Sequence, residues 1–232
     1  MKKLLSVLSV FAVTAIAAGA AFAGSINTPA GLNPGDSFRL VFVTSTQTAA
    51  TSNDLATYDN FVSTNAAGTT YNGNQITWQA IVSNTTINAR DHIGLQSTSL
   101  TPIYTVSGTL VSTGNLWSGA LLNPINKGVQ WPYQYHGSVW SGTLSDGTSS
   151  IGSEMGTAYP NYALTGTSSS ASSSWIAFGP PITTEVPHLY GISSILTVPS
   201  AVPEPSTAML AGLGGLAALV YSFKRKRNSC RR

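Results

Sequence analysis

The chain has a single cysteine, Cys230, and none between Gly24 and Val202. That excludes a disulfide framework and a Cys-based zinc site in the body, which must be held by packing and backbone pairing. Charge is almost as scarce, at 8% of residues. Between Gly24 and Val202 the cations are only Arg39, Arg90 and Lys127, against Asp36, Asp54, Asp59, Asp91, Asp146, Glu154 and Glu185, a net of 3 minus 7, or −4. A mildly acidic body without a basic stripe excludes nucleic-acid binding, which rests on phosphate neutralisation. The overall +3 comes from Lys2, Lys3 and the six basic residues after Phe223, so it reports topology. Histidine is limited to His92, His136 and His188, each isolated, with no H-E-x-x-H or Cys/His metal spacing. No Gly-x-Ser-x-Gly elbow, P-loop or dinucleotide fingerprint is present. Arg90-Asp91-His92 is the densest polar cluster of the body, and because adjacent side chains point apart it reads as a loop-anchoring ion pair rather than as catalytic groups. Asn123-Pro124-Ile125-Asn126 and Ser145-Asp146-Gly147 offer oxygens but too few carboxylates for calcium. The expectation is a non-enzymatic chain with no cofactor and no metal, a surface hydrolase being the weakest alternative.

What is present favours strands. Ser and Thr account for 51 of the 179 residues from Gly24 to Val202, alongside many Asn and Gly, a composition of strands and polar turns. The length suits one domain, and Trp78, Trp117, Trp131, Trp140 and Trp175 are its expected core anchors. Ser37 to Thr44 places Phe38, Leu40 and Phe42 on one face and Arg39, Val41 and Val43 on the other, so it reads as a strand buried on both sides. Leu55, Tyr58 and Val62, with Phe61 beside them, recur at helical spacing after Ser52 and Asn53, predicting a helix over Asn53 to Asn65. Tyr71-Asn72-Gly73 predicts a turn, and Ile76 to Val82 a strand. Pro102 to Val111 reads as a hairpin turning at Ser107-Gly108, Ser138 to Leu144 as a strand turned by Asp146-Gly147, and Tyr190 to Val198 as a last strand. Thr167 to Ser174 is low-complexity and reads as a mobile loop. Leu116-Trp117-Ser118-Gly119 and Val139-Trp140-Ser141-Gly142 match as tetrapeptides, but their flanks do not align, which argues against a repeat.

The two ends carry topology. Residues 1–23 place Lys2 and Lys3 before an apolar run that closes on Ala21-Phe22-Ala23, the pattern of a secretory signal peptide cut between Ala23 and Gly24. Residues 206–223 hold no charge, and as a helix they would extend about 27 Å, close to the hydrocarbon thickness of a bilayer. Lys224, Arg225, Lys226 and Arg227 follow at once, so the positive-inside bias predicts a transmembrane helix with a cytoplasmic tail at 224–232 and an extracytoplasmic domain at 24–200. In the linker at 201–205, Pro203 and Pro205 oppose helix and leave an extended segment that a processing enzyme can read. Val202-Pro203-Glu204-Pro205-Ser206, an apolar span and a terminal basic cluster, in that order, resemble the PEP-CTERM sorting signal of Gram-negative bacteria. The resemblance implies recognition by exosortase, a membrane-embedded cysteine transpeptidase that cuts near the motif and releases or re-anchors the protein. Cys230 lies beyond the basic cluster and is assigned no role.

In the body, RLVFVTST, a short helix, a WQAI-like strand, an ARD segment, an IYTVSG hairpin, LWSGAL with LNPIN, VWSGTLSDGT and SSSWI follow one another in an order similar to bacterial surface proteins with an endostatin-related domain. That resemblance implies a strand-rich α+β, C-type-lectin-like fold with long loops. The composition by itself leaves an all-β sandwich open. The cysteines that related domains place around the final Trp segment are absent, as are the Glu-Pro-Asn and Gln-Pro-Asp triplets of calcium-dependent lectins. Trp131-Pro132-Tyr133-Gln134-Tyr135-His136 is the best candidate for ligand contact, since aromatic faces stack on sugar rings while Gln and His bond hydroxyls; the same residues also suit an aromatic loop folded over the core. The expected function is an exported surface or matrix protein whose partners are signal peptidase and the secretion machinery, exosortase and the inner membrane. The alternative is a module of the biofilm matrix that binds extracellular polysaccharide.

Overall fold

A computed structural model of the chain describes residues 24–126, 137–157, 162–179 and 186–200. The chain divides into two compact units, Met1–Val198 and Pro199–Arg232, and every described element belongs to the first. In chain order these are strand β1 (Gly24–Ser25), β2 (Ser37–Val43), helix α1 (Leu55–Asn65), β3 (Thr69–Tyr71), β4 (Asn74–Gln75), β5 (Trp78–Ala80), α2 (Ala89–His92), β6 (Ile103–Thr105), β7 (Leu110–Ser112), β8 (Ser138–Trp140), β9 (Thr165–Thr167), a 3-10 turn (Ser173–Trp175), β10 (His188–Ser193) and β11 (Leu196–Thr197). The fold is strand-rich with little helix, as the Ser/Thr composition predicts.

The main sheet runs β7-β6-β2-β10-β8-β9, with β11 added to β2 and β5 added to β10; β1, β3 and β4 form a smaller sheet. β10 is the hub. It gives one edge to β2, with Tyr190 opposite Val43 and Ile192 opposite Val41, and divides the other between β8 at its start and β5 at its end. The β2–β6, β8–β10 and β1–β3 pairs are parallel and the rest antiparallel, so the sheets are mixed. A sandwich of antiparallel sheets lacks such pairs.

β2 shows why the sheet sits at the centre. Phe38, Leu40 and Phe42 enter a core with Trp78, Ala80, Trp140, Leu189 and, from α1, Leu55, Tyr58 and Val62. Val41 enters a second core with Ile81, Ile93, Ile103, Trp117, Trp175 and Tyr190. Both faces of β2 are therefore covered, in agreement with the apolar residues it carries on each face. Each fully buried aliphatic or Phe side chain in these cores stabilises the fold by about 1.5–3 kcal/mol. Trp78, Trp117, Trp140 and Trp175 are all buried, and Trp175 packs on Trp117 at 6.2 Å and on Tyr190 at 5.5 Å between ring centroids.

α1 buries the predicted stripe of Leu55, Tyr58 and Val62, but its N-cap is Asp54, whose carboxylate accepts from the Ala56 amide at 3.0 Å. Ser52 is engaged with the Tyr58 hydroxyl and Asn53 with Thr85, contacts that no local pattern announces. Asn72 (φ 54°) and Gly73 (φ 76°) form the two-residue loop between β3 and β4, where both positions need the left-handed region. The Pro102 to Val111 hairpin forms as β6 and β7, with Gly108 at φ 87° in its turn. Two other glycines are required by close approach. A Cβ on Gly191 would stand 2.3 Å from the Phe42 ring, and one on Gly166 2.0 Å from the Trp175 carbonyl.

Several expected elements are corrected. Only Trp78–Ala80 of Ile76 to Val82 pairs as a strand, because β10 offers β5 just its last residues. Ser138 to Leu144 is a strand only over Ser138–Trp140; beyond it Thr143 makes an isolated antiparallel bridge with Ser149, and Leu144 to Gly147 turns the chain, with the Gly147 amide on the Leu144 carbonyl. The strand expected over Tyr190 to Val198 is two, β10 and β11, which pair with different lengths of β2. Thr167 to Ser174 is not a bare loop. Ser168 is fully buried, and Ser172 caps the 3-10 turn that sets Trp175 in the core. The two Trp-Ser-Gly tetrapeptides differ in structure, Val139-Trp140 lying in β8 and Leu116-Trp117 in a turn, which agrees with the absence of a repeat. The ends of the main sheet are covered: the Leu122 amide bonds the Val111 carbonyl of β7, and the Phe178 amide bonds the Thr165 carbonyl of β9. Covered edges remove a template for pairing with other chains.

Candidate functional site

A polar junction that contains a carboxylate, an imidazole and a guanidinium lies where α1, β5 and α2 meet. Asp59 projects from α1, and its Oδ1 accepts from the Ala80 amide at 2.8 Å and lies 3.0 Å from His92 Nε2. His92 closes α2, and two side chains satisfy the carbonyls at that helix end. Gln79 Nε2 donates to the His92 carbonyl at 3.1 Å, and Arg39 Nη1 donates to the Ile93 carbonyl at 2.8 Å. Terminal carbonyls of a helix have no partner within it, so these donors act as a side-chain cap.

Arg39 is buried without a carboxylate in hydrogen-bonding contact, and its Nε has no partner. Desolvation lowers its pKa from the ordinary arginine value. The reading of Arg90-Asp91-His92 is corrected in detail. Arg90 and Asp91 stand 3.9 Å apart in a partly exposed pair, while Asp91 is held by Asn88 and Gln96, hydrogen bonds that keep its carboxyl below the usual range. The anchoring partner of this segment is Asp59, through His92. The two residues are 33 positions apart, and no sequence signal pairs them.

Chemically, the junction is a tie between elements. No hydroxyl or thiol belongs to the Asp59–His92 hydrogen bonds, and among the described residues no group of three or more His, Cys, Asp or Glu side chains is placed to hold a metal. His188 is buried; its Nδ1 donates to the Thr44 carbonyl at 2.6 Å, and burial lowers its pKa below the ordinary histidine value.

Of the residues expected to carry function, Gly24 is the first residue of β1, paired with Thr69. Ala21 and Ala23, Trp131, Tyr133, Tyr135 and His136, the sorting residues Val202, Pro203, Glu204, Pro205 and Ser206, the basic residues Lys224, Arg225, Lys226 and Arg227, and Cys230 lie outside the described residues. Among the described residues no helix is long and apolar enough to cross a membrane; the span expected at 206–223 also lies outside them.

A search of curated proteins finds no match to the chain. Residues 201–226 match the family model of the PEP-CTERM protein-sorting motif, and they start three positions after Val198, the last residue of the first compact unit. The match covers the Pro-Glu-Pro segment, the uncharged stretch and the first basic residues; the chain thus carries a PEP-CTERM sorting motif, which indicates an exported surface protein targeted to exosortase.

Proposed function

We propose that residues 24–198 form a non-enzymatic domain that the two ends deliver to the cell surface or extracellular matrix of a Gram-negative bacterium. In this reading signal peptidase removes residues 1–23, and the segment at 206–223 holds the chain in the inner membrane with its basic tail in the cytoplasm. Exosortase then cuts near Val202 to Ser206. The observation that carries the reading is the sorting-motif match at 201–226, directly after the end of the folded unit. The body delivered in this way is a mixed, strand-rich sheet with α1 packed on it.

The test is intact mass and cell fractionation of the natively produced protein, with and without replacement of Pro203-Glu204-Pro205 by three alanines. The parent chain is expected to start at Gly24 and end near Val202 to Ser206, and the variant to stay full-length in the membrane. A parent chain that retains Arg232, or a variant cut as the parent is, overturns the reading.

A further inference from the structure

The folded unit pairs its own last residues into the sheet, and in sequence these stand only a few positions before the sorting motif. β11 pairs antiparallel with the start of β2, Leu196 opposite Phe38 and Thr197 opposite Ser37. Val198 continues the pairing: its amide donates to the Asp36 carbonyl at 2.8 Å, and its carbonyl accepts from the Gly35 amide at 2.9 Å. Its side chain is 8% exposed and belongs to the core that contains Phe38 and Tyr71. Pro199 ends the strap, since it has no amide to donate, and Pro199 and Ser200 are exposed.

From Val198 to Val202 there are four residues, which fully extended reach roughly 14 Å; Glu204 lies within roughly 20 Å of chain. A cleft that binds the motif as an extended peptide must accept residues on its N-terminal side as well as Glu204. Beyond those four residues the next backbone groups are already bonded to residues 35–38 and the next side chain is in the core.

We propose that the β11–Val198 strap must peel from β2 before the processing enzyme can seat the Pro203-Glu204-Pro205 segment, so that the stability of this edge sets the rate of processing. The proposal rests on the sorting reading above and adds its regulation. β11 is suited to the role. It is two residues long and pairs with one neighbour, and short terminal elements open at far lower cost than the whole fold.

The test locks the strap. The Val198–Asp36 bond makes 36/198 a hydrogen-bonded pair, so Ser37 and Thr197 form the adjacent non-hydrogen-bonded pair. In such pairs Cα atoms stand about 4.5 Å apart, within disulfide range. Both residues are exposed. The full-length chain carrying Ser37→Cys and Thr197→Cys, with Cys230→Ser to prevent mispairing, is followed by pulse-chase in its own host with and without reductant. The parent under the same reductant is the control.

The oxidised variant is expected to be processed about tenfold or more slowly than its reduced form, because cutting tracks the population of the open strap. A flexible Gly-Ser insert of about six residues between Ser200 and Ala201 is expected to restore the rate in the oxidised chain by supplying the missing reach. Equal rates for the oxidised and reduced forms, with the Pro203-Glu204-Pro205 variant uncut, overturn the strap and leave the sorting reading standing. If that variant is cut normally, both fall.

Discussion

His188 opens β10 with its ring buried and Nδ1 bonded to the Thr44 carbonyl. Desolvation pulls its pKa down, and the hydrogen bond to Thr44 only partly offsets this. The unfolded chain therefore binds this proton more readily than the folded one, and stability rises with pH between the two pKa values. The contribution is complete above the unfolded value of about 6.5 and is lost as pH falls through the folded value. Melting temperature measured across this range is expected to be level above about pH 7 and to drop below about pH 6.5, with a shallower drop in His188→Gln. An equal slope in both proteins would remove His188 as the cause. Asp91 and Asp146, whose carboxyls are held down mainly by hydrogen bonds from Asn88 and Thr148, lose their contributions only at more acidic pH, so the two windows separate. The sequence shows an isolated histidine and no more, since burial depends on which strands flank it.

At the scale of elements, Asp59 ties three of them. Asp59→Ala leaves the Ala80 amide without its partner in the interior and frees His92 from α1, and a buried orphan donor costs about 1–3 kcal/mol. His92→Ala keeps the Ala80 bond and is expected to cost less. Urea denaturation of both single variants and the double variant gives the coupling as a cycle, and additive losses would show that the Asp59–His92 contact contributes nothing of its own. The helix that carries Asp59 is legible in the sequence, because the Leu55, Tyr58 and Val62 spacing reports one buried face, and so is the turn at Asn72-Gly73, because two successive positive φ values demand those residues; the strands that flank the turn are not. The strand at Ile76 to Val82 was overextended, and for a physical reason. Ile76, Ile81 and Val82 are buried as the pattern says, yet the β10 edge available to β5 is shared with β8. Hydrophobic pattern reports burial; pairing depends on a neighbour with a free edge.

At the scale of the whole molecule, the folded unit ends at Val198 and the sorting match begins at 201. A chain of residues 24–198 is expected to fold alone and melt at the same temperature as one of residues 24–202. Removing residues 196–198 as well takes away the Val198 side chain and its two backbone bonds, a loss of about 2 kcal/mol or more. Thermal melts of the three proteins check this, and a lower melting temperature for 24–198 than for 24–202 would place the boundary further along the chain. The same boundary separates two roles. Residues beyond it match a signal for sorting, whereas the body carries seven carboxylates and three cations and spends its described polar groups on turns, caps and ties between elements.

Sequence alone was enough for whatever depends on residues close together in the chain. The sorting segment, the two-sided burial of β2, the face of α1 and the turns at Asn72-Gly73 and Ser107-Gly108 are of this kind, because a motif, a period or a φ preference needs only neighbours. Tertiary structure decided the rest. It made β10 the hub of three strands, turned the Ser-rich stretch before Trp175 into an ordered cap, joined His92 to Asp59 rather than to Asp91, and set His188 against Thr44 across 144 positions. Each of these outcomes is a competition among distant partners for a limited number of strand edges and buried donors, and no local pattern contains the competitors.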